Sequence, residues 1–158
     1  MSPSLIIFGT GAHARKAYHC ATLGGGVVRG FADENPAATS PVAGVPMCTP
    51  AELAALAPGQ AIFVAIGHSA TRQRLMDDFG AEGWQLPALV HPRATVAPDA
   101  LLAEGCIVAA GAVVESGARV GRGAIVDVGA IVDHDAEVAA FSHLRPGQVC
   151  PAASRWPV

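Results

Sequence analysis

The chain has 158 residues, of which 51% are hydrophobic but only 5% aromatic, and it contains 18 glycines and 12 prolines. This length allows one ordinary domain or two small ones, and the many turn-forming residues favour numerous short strands over a helical bundle. The net charge is −3 and the chain has no run of Lys or Arg. It therefore lacks the basic surface of a protein that binds nucleic acid or an anionic membrane.

The amino-terminal region lacks the features of a secretion signal. Its apolar run, residues 5–8, is far shorter than a signal peptide or a membrane span requires, and no basic region precedes it. The four cysteines are widely spaced and form no C-x-x-C pair, which argues against both a zinc site and a disulfide framework. We therefore predict a cytoplasmic protein with reduced, structural cysteines.

The first predicted element is a buried strand over residues 5–8, followed by a glycine-rich turn and a helix from about residue 15 to residue 23. A glycine turn that opens a helix presents backbone N–H groups and the positive end of the helix dipole, which suits a phosphate or pyrophosphate. Candidate ligand-binding residues in this turn are Gly9, Gly11, Ala12 and His13. His13 could equally cap the turn without touching a ligand.

Further candidates follow the next two predicted strands, residues 27–31 and 61–66. The first ends near Asp33 and Glu34, whose carboxylates can accept hydrogen bonds from ribose hydroxyls or from a base N–H. The second ends at Gly67, before a helix that runs to about residue 82. Residues 1–87 are thus predicted to form an α/β domain, a small Rossmann-like parallel sheet covered by helices.

The first turn also fits the dinucleotide fingerprint of NAD enzymes. Gly9, Gly11 and Ala14 have the required spacing, and Asp33 lies about twenty positions further on. A NAD-dependent enzyme would normally continue with more sheet and a substrate domain, whereas this chain turns directly into a short repeat. NAD binding is therefore the less favoured interpretation.

The second half repeats with a period of six residues. One aliphatic column runs through Val90, Val96, Leu102, Val108, Val114, Val120, Val126, Val132, Val138 and Leu144. Four places later the residues are small, and glycines recur at the same six-residue step from Gly105 to Gly129. An amphipathic helix would require spacings of three and four and an alternating strand a spacing of two, so neither explains the pattern.

Short parallel strands that turn a corner every six residues explain it, since each inward side chain stacks on its copy one coil away. The sequence therefore predicts a left-handed parallel β-helix over residues 88–149, with about three coils. Residues 150–158 are predicted to form a tail outside the repeat, with Trp156 as a possible cap over the last coil.

Several motifs together resemble the sialic-acid O-acetyltransferase and UDP-4-amino-sugar N-acetyltransferase family of bacterial glycan biosynthesis. In the first half they are Phe8-Gly9-Thr10-Gly11-Ala12-His13-Ala14, Phe31-Ala32-Asp33-Glu34 and Phe63-Val64-Ala65-Ile66-Gly67. In the second half they are His91-Pro92-Arg93-Ala94, Val132-Asp133-His134-Asp135 and Phe141-Ser142-His143. The resemblance covers nearly the whole chain.

The resemblance implies an acetyl-CoA-dependent acyltransferase that acetylates the amino or hydroxyl group of a nucleotide-activated sugar, with UDP as the expected nucleotide and no metal. His134 matches the general base, Asp135 the acidic residue that orients it, and His143 a second histidine near the acetyl-CoA thioester. The resemblance also implies a homotrimer, in which we expect His134 of one subunit to face an acyl-CoA cleft shared with its neighbour.

Three departures from the family accompany this resemblance. Ala12 stands where a second glycine is usual, and Asp127 stands where an amide-type residue is common. The repeat is expected to stop early, which would remove part of the acetyl-CoA groove and impair activity. The chain could then be a truncated product, a short form that borrows surface from its neighbours, or a nucleotide-sugar-binding protein without catalysis. A metal site formed by His91, His134 and His143 is not favoured by their spacing.

Overall fold

The computed structural model describes residues 4–56 and 58–158. The chain divides into two units, Met1–Pro87 and Ala88–Val158. The first unit combines a parallel sheet with helices, and the second consists of short parallel strands. An α/β unit is thus followed by a β-helix, as the two kinds of apolar pattern in the sequence predict.

The sheet of the first unit has the strand order β2-β1-β3, and all neighbours are parallel. Its strands are β1 (Ser4–Phe8), β2 (Val27–Ala32) and β3 (Ala61–Val64). Its helices are α1 (Ala12–Leu23), α2 (Pro50–Leu56) and α3 (Ser69–Ala81). The continuous apolar runs of β1 and β3 are buried, as expected for a parallel sheet covered by helices.

Local sequence explains where these helices begin. Helix α2 begins with a capping box, since the Glu52 carboxylate accepts from the Thr49 N–H at 2.7 Å and the Thr49 hydroxyl accepts from the Glu52 N–H at 3.3 Å. Helix α1 begins at Ala12 rather than at about residue 15, because the glycine turn is tight and Ala14 N–H already donates to the Gly11 carbonyl at 3.0 Å.

The second unit contains twelve strands of two residues each, arranged in three parallel sheets of four. The strands are β4 (Leu89–Val90), β5 (Thr95–Val96), β6 (Leu101–Leu102), β7 (Ile107–Val108), β8 (Val113–Val114), β9 (Arg119–Val120), β10 (Ile125–Val126), β11 (Ile131–Val132), β12 (Glu137–Val138), β13 (His143–Leu144), β14 (Val149–Cys150) and β15 (Arg155–Trp156). Each strand from β4 to β12 pairs with the strand three further along the chain.

We name the three sheets by one outward residue each. The His143 face contains β4, β7, β10 and β13; the Ile131 face contains β5, β8, β11 and β14; the Arg119 face contains β6, β9, β12 and β15. From β7 to β14 the second residue of each strand is buried and forms the core together with the small corner residues, and Val96, Leu102 and Trp156 pack partly buried against it. Ala112, Ala118 and Ala124, for example, are fully buried at corners.

The carboxyl-terminal residues correct one prediction. Val149–Cys150 and Arg155–Trp156 are paired strands of the β-helix, with Val132 beside Cys150 and Val138 beside Trp156. The predicted tail at residues 150–158 is therefore wrong over most of its length, and three sheets of four strands make four coils rather than about three. Cys150 and Trp156 in fact keep the six-residue phase of the inward column.

We predict that Trp156→Ala lowers the free energy of unfolding by about 2 kcal/mol, because it removes a large ring packed against the core of the last coil. Arg155→Ala is the matched control, since its side chain is exposed and its ion pair with Glu137 contributes little. Chemical denaturation of both variants tests this. Equal stabilities of the two variants would mean that the last strand does not belong to the folded core.

Candidate active site

The glycine turn after β1 lies against the carboxyl ends of both neighbouring strands. Gly9 has φ +117°, and its N–H donates to the Ala32 carbonyl at 2.7 Å. A Cβ at this position would lie 2.8 Å from the Ala65 carbonyl oxygen, so both the conformation and the space require glycine. Gly11 is the N-cap of α1, and Ala12 and His13 form the first turn of that helix.

Asp33 is held against this turn, whereas Glu34 is not. The Thr10 hydroxyl donates to Asp33 Oδ2 at 2.7 Å, and Asn35 N–H donates to Asp33 Oδ1 at 2.9 Å. Glu34 instead forms an exposed ion pair with Arg74 on α3 at 2.8 Å. The structure therefore brings Asp33 to the glycine turn through Thr10, a contact that the sequence analysis did not identify.

A buried arginine supports the segment after β3. Arg72 is only 1% exposed, and its Nη1 donates to the carbonyls of Ile66 at 2.7 Å and Gly67 at 2.9 Å. Burial lowers the pKa of this guanidinium to about 10, so it remains charged at neutral pH. Gly67 thus lies on a braced segment at the same sheet edge as Gly9. Sequence reasoning missed Arg72, because a charged residue in a helix is usually exposed.

His134 and Asp135 occupy the corner between the Ile131 face and the Arg119 face. His134 Nδ1 lies 3.0 Å from Asp135 Oδ2, and both side chains are exposed. The hydrogen bond to Asp135 raises the pKa of His134; partial desolvation acts in the opposite direction, and the charges of Asp133, Asp135 and Glu115 raise it further. The pair therefore has the geometry of an imidazole oriented by a carboxylate.

Asp135 adopts a conformation that glycine takes in most other hexads. Its φ is +57°, at the turn position where Gly117 has φ +71° and Gly129 has φ +64°. Its N–H donates to the Ser116 carbonyl at 3.0 Å, and a Cβ at Gly117 in the preceding coil would collide with the Asp135 carboxylate. A non-glycine residue held in this region stores strain of the kind that is concentrated at functional sites.

His143 has a different carboxylate partner. Its Nε2 lies 2.9 Å from Asp127 Oδ2, and the Asp127 side chain is 4% exposed while that of His143 is 31% exposed. Asp127 was not among the predicted site residues, although its departure from the family pattern drew attention to it. His134 and His143 lie on different parts of the β-helix, and each is paired with its own carboxylate.

The described residues contain neither a cluster of metal-ligating side chains nor a helix that could span a membrane. Within residues 4–56 and 58–158, no group of three or more His, Cys, Asp or Glu side chains is arranged to hold a metal ion. His91 Nδ1 accepts the Arg93 N–H at 3.1 Å, as part of a corner turn. The helices in the described part of the chain are all too short or too polar to cross a bilayer.

Comparisons with known proteins agree with this architecture. The PglD N-terminal domain model matches residues 4–79. The acetyltransferase domain of PglB from Neisseria gonorrhoeae, solved with acetyl coenzyme A, is 33% identical with a TM-score of 0.84, and the match covers 94% of this chain and 73% of that chain. PerB from Caulobacter crescentus, solved with CoA and GDP-perosamine, is 34% identical with a TM-score of 0.83 and coverages of 92% and 70%.

WeeI from Acinetobacter baumannii is 14% identical with a TM-score of 0.72, so it shares the fold alone. No curated protein sequence matches the chain. A Rossmann-like unit followed by a hexapeptide β-helix, with over 30% identity to two acetyltransferases, defines an acyltransferase. The chain belongs to the PglD-like family of nucleotide-sugar acetyltransferases.

Proposed function

We propose that the protein transfers the acetyl group of acetyl-CoA to the amino group of a nucleotide-activated sugar. The observation that carries this proposal is the pair of His134 and Asp135, whose 3.0 Å hydrogen bond leaves the other edge of the imidazole exposed at a corner of the β-helix. Family membership supplies the reaction class, and this pair supplies a base. A cytoplasmic location remains part of the proposal, because acetyl-CoA is available there.

The hydrogen bond to Asp135 determines which nitrogen of His134 can act. An ionised carboxylate only accepts hydrogen bonds, so Nδ1 carries the hydrogen and Nε2 of the neutral ring has the lone pair. Nε2 takes the proton of the amine as its nitrogen attacks the thioester carbonyl carbon. The new N–C bond forms, the C–S bond breaks, and the thiolate of CoA leaves and is protonated. Asp135 stabilises the imidazolium that results.

The first unit is proposed to hold the nucleotide of the sugar substrate. Backbone N–H groups at Gly11, Ala12 and His13 open the twelve-residue helix α1, whose positive end suits a diphosphate. Asp33, held beside this turn by Thr10, retains carboxylate lone pairs for ribose hydroxyls or a base N–H. Gly9 lets the backbone lie close to the Ala65 carbonyl at this edge of the sheet, whereas a Cβ at Gly67 would meet only open space. Glu34 contributes less to this proposal, because it pairs with Arg74.

The proposed activity is tested by release of free thiol from acetyl-CoA in the presence of UDP-linked or GDP-linked 4-amino sugars. We expect His134→Ala to lower kcat by about 10²–10⁴-fold, the usual contribution of a general base. His91→Ala is the matched control, because it removes a half-buried corner histidine outside the proposed site and should retain activity. Equal rates for the wild type and His134→Ala would rule out this base.

The alternative proposal is a nucleotide-sugar-binding protein without catalysis. This alternative assumes that the β-helix is too short to complete the acetyl-CoA groove. The fourth coil makes the β-helix longer than the sequence predicted and so weakens this alternative. Calorimetry with each ligand separates the two functions. Affinity for the nucleotide sugar without any binding of CoA would favour the alternative, whereas binding of both ligands favours transfer.

The raised pKa of His134 predicts the pH dependence of kcat/KM. The base must be neutral, so activity falls as the pH drops through the pKa of His134, at a pH above the usual value of about 6.5. Asp135→Asn removes the largest cause of the shift, and we expect the acidic limb of the profile to move to lower pH. Asparagine tolerates the positive φ of this position.

Asp133→Asn is the control for this profile, since Asp133 affects the pKa of His134 through charge alone and should produce a smaller displacement. An acidic limb that is the same in the wild type and Asp135→Asn would contradict the role proposed for Asp135. Loss of the acidic limb from the kcat/KM profile of His134→Ala would show that the His134 imidazole is the group that titrates.

The Ile131 face is proposed to form the interface of a homotrimer. Its outward positions are Thr95, Val113, Ile131 and Val149, which lie in register from coil to coil. Ile131 is 37% exposed and Val149 46% exposed. The Arg119 face presents mostly charged residues instead, with Glu137 beside Arg119 and Arg155. A column of exposed and half-exposed β-branched side chains next to the His134 corner suits contact with a second copy of the chain.

We expect Ile131→Glu to dissociate this trimer into monomers, because it places like charges at an apolar interface. Leu101→Glu is the matched control, since Leu101 is a large exposed side chain on the Arg119 face. Size-exclusion chromatography with light scattering reports the molecular mass of each. A monomer that keeps full transferase activity would overturn the expectation that the acyl-CoA cleft is shared between subunits.

A further inference from the structure

Asp127 is a buried carboxylate, and each of its two oxygens has a hydrogen-bond partner. Its Oδ1 accepts the Val128 N–H at 2.8 Å, and its Oδ2 lies 2.9 Å from His143 Nε2. The residue is 3% exposed, which is unusual for an aspartate and costly unless the charge is compensated. Of these two hydrogen bonds, the first is local to the turn and the second crosses to the next coil.

Asp133 shows which of these two bonds explains the burial. It occupies the same place one hexad later, and its Oδ1 accepts the His134 N–H at 2.7 Å in the same local turn. Asp133 is nevertheless only half-buried. The turn bond is therefore satisfied by a carboxylate at the surface. What distinguishes Asp127 is the bond from its second oxygen to the imidazole of His143.

The chemistry of the two groups determines where the proton lies. An ionised carboxylate has no hydrogen to donate, so His143 Nε2 must carry one. In the neutral ring, Nδ1 of His143 is then the nitrogen with the lone pair. His134 is held in the opposite way, because its Nδ1 faces Asp135. The two histidines thus present different nitrogens to their surroundings.

We propose that Asp127 is a positioning residue that holds His143 in the Nε2–H tautomer and directs its Nδ1 edge to the acyl donor. The tautomer follows from the contacts of the ligand-free protein. The link to acetyl-CoA rests on the proposed function, in which His143 lies near the thioester. Asp127 acts through His143 and does not itself touch the substrate.

An amide at this position would have the reverse effect. The Oδ1 of asparagine must stay on the Val128 N–H, since the alternative orientation would set two donors against each other. Its NH2 group then faces His143 Nε2, which becomes the acceptor. The proton of the neutral imidazole moves to Nδ1. Asp127→Asn therefore inverts the tautomer while it preserves the size of the side chain and both hydrogen bonds.

The test is ¹⁵N NMR of the full chain labelled only at its six histidines, recorded at alkaline pH where the neutral rings dominate. His143→Gln identifies the signals of His143 by their loss. We expect protonated Nε2 and unprotonated Nδ1 in the wild type, and the reverse in Asp127→Asn. Asp133→Asn, with the same change in the neighbouring hexad, should leave the His143 signals in place.

A wild-type His143 with unprotonated Nε2 would overturn the proposal without any variant, and so would an unchanged tautomer in folded Asp127→Asn. In kinetics, we expect Asp127→Asn to raise KM for acetyl-CoA about tenfold, equal to about 1.4 kcal/mol, and to leave KM for the nucleotide sugar unchanged. Inversion of the tautomer without this change would refute the positioning role. Absence of transfer in the wild type would refute the proposed function alone.

Discussion

The structure of the second unit depends on the stacking of one inward aliphatic side chain per hexad on its copy in the next coil. Val108, Val126 and Leu144 form one such column, and they are all fully buried. Because the strands contain only two residues, no single strand pair is stable alone, and cohesion comes from the repetition of the same contact. Every other feature, including the corners that carry His134 and Asp127, is placed by this periodic core.

The corners show what the stacking tolerates. Most turns contain one residue with positive φ, and glycine usually supplies it at the lowest conformational cost. Asp135, Phe141 and Ala153 take this conformation without being glycine. Asp135 stands directly after His134, and Phe141 two residues before His143. The regular core stabilises these corners despite the unfavourable φ of a non-glycine residue. Functional side chains can therefore occupy positions that glycine takes elsewhere in the repeat.

Much of the fold could be predicted from local patterns. Both the apolar strand before Gly9 and the six-residue period can be recognised from residues that are close together in the sequence. The last two strands could not, since Ala153 replaces the glycine of the turn between them and Cys150 and Trp156 replace the aliphatic residues. Arg72 was missed because its burial depends on carbonyl partners across a turn. The bond between Asp127 and His143 joins residues sixteen apart in neighbouring coils, and no short motif records such a contact.

The pairing of each strand with the third one along the chain has a consequence for how this fold can vary. Eighteen residues separate stacked partners such as Ile107 and Ile125. Removal or addition of one hexad would keep the aliphatic column in phase, but it would rotate everything downstream by one third of a turn. A residue such as His143 would then emerge from a different side of the prism. An insertion of a whole coil keeps a functional group on the same face of the β-helix, whereas an insertion of one hexad moves it to the next face.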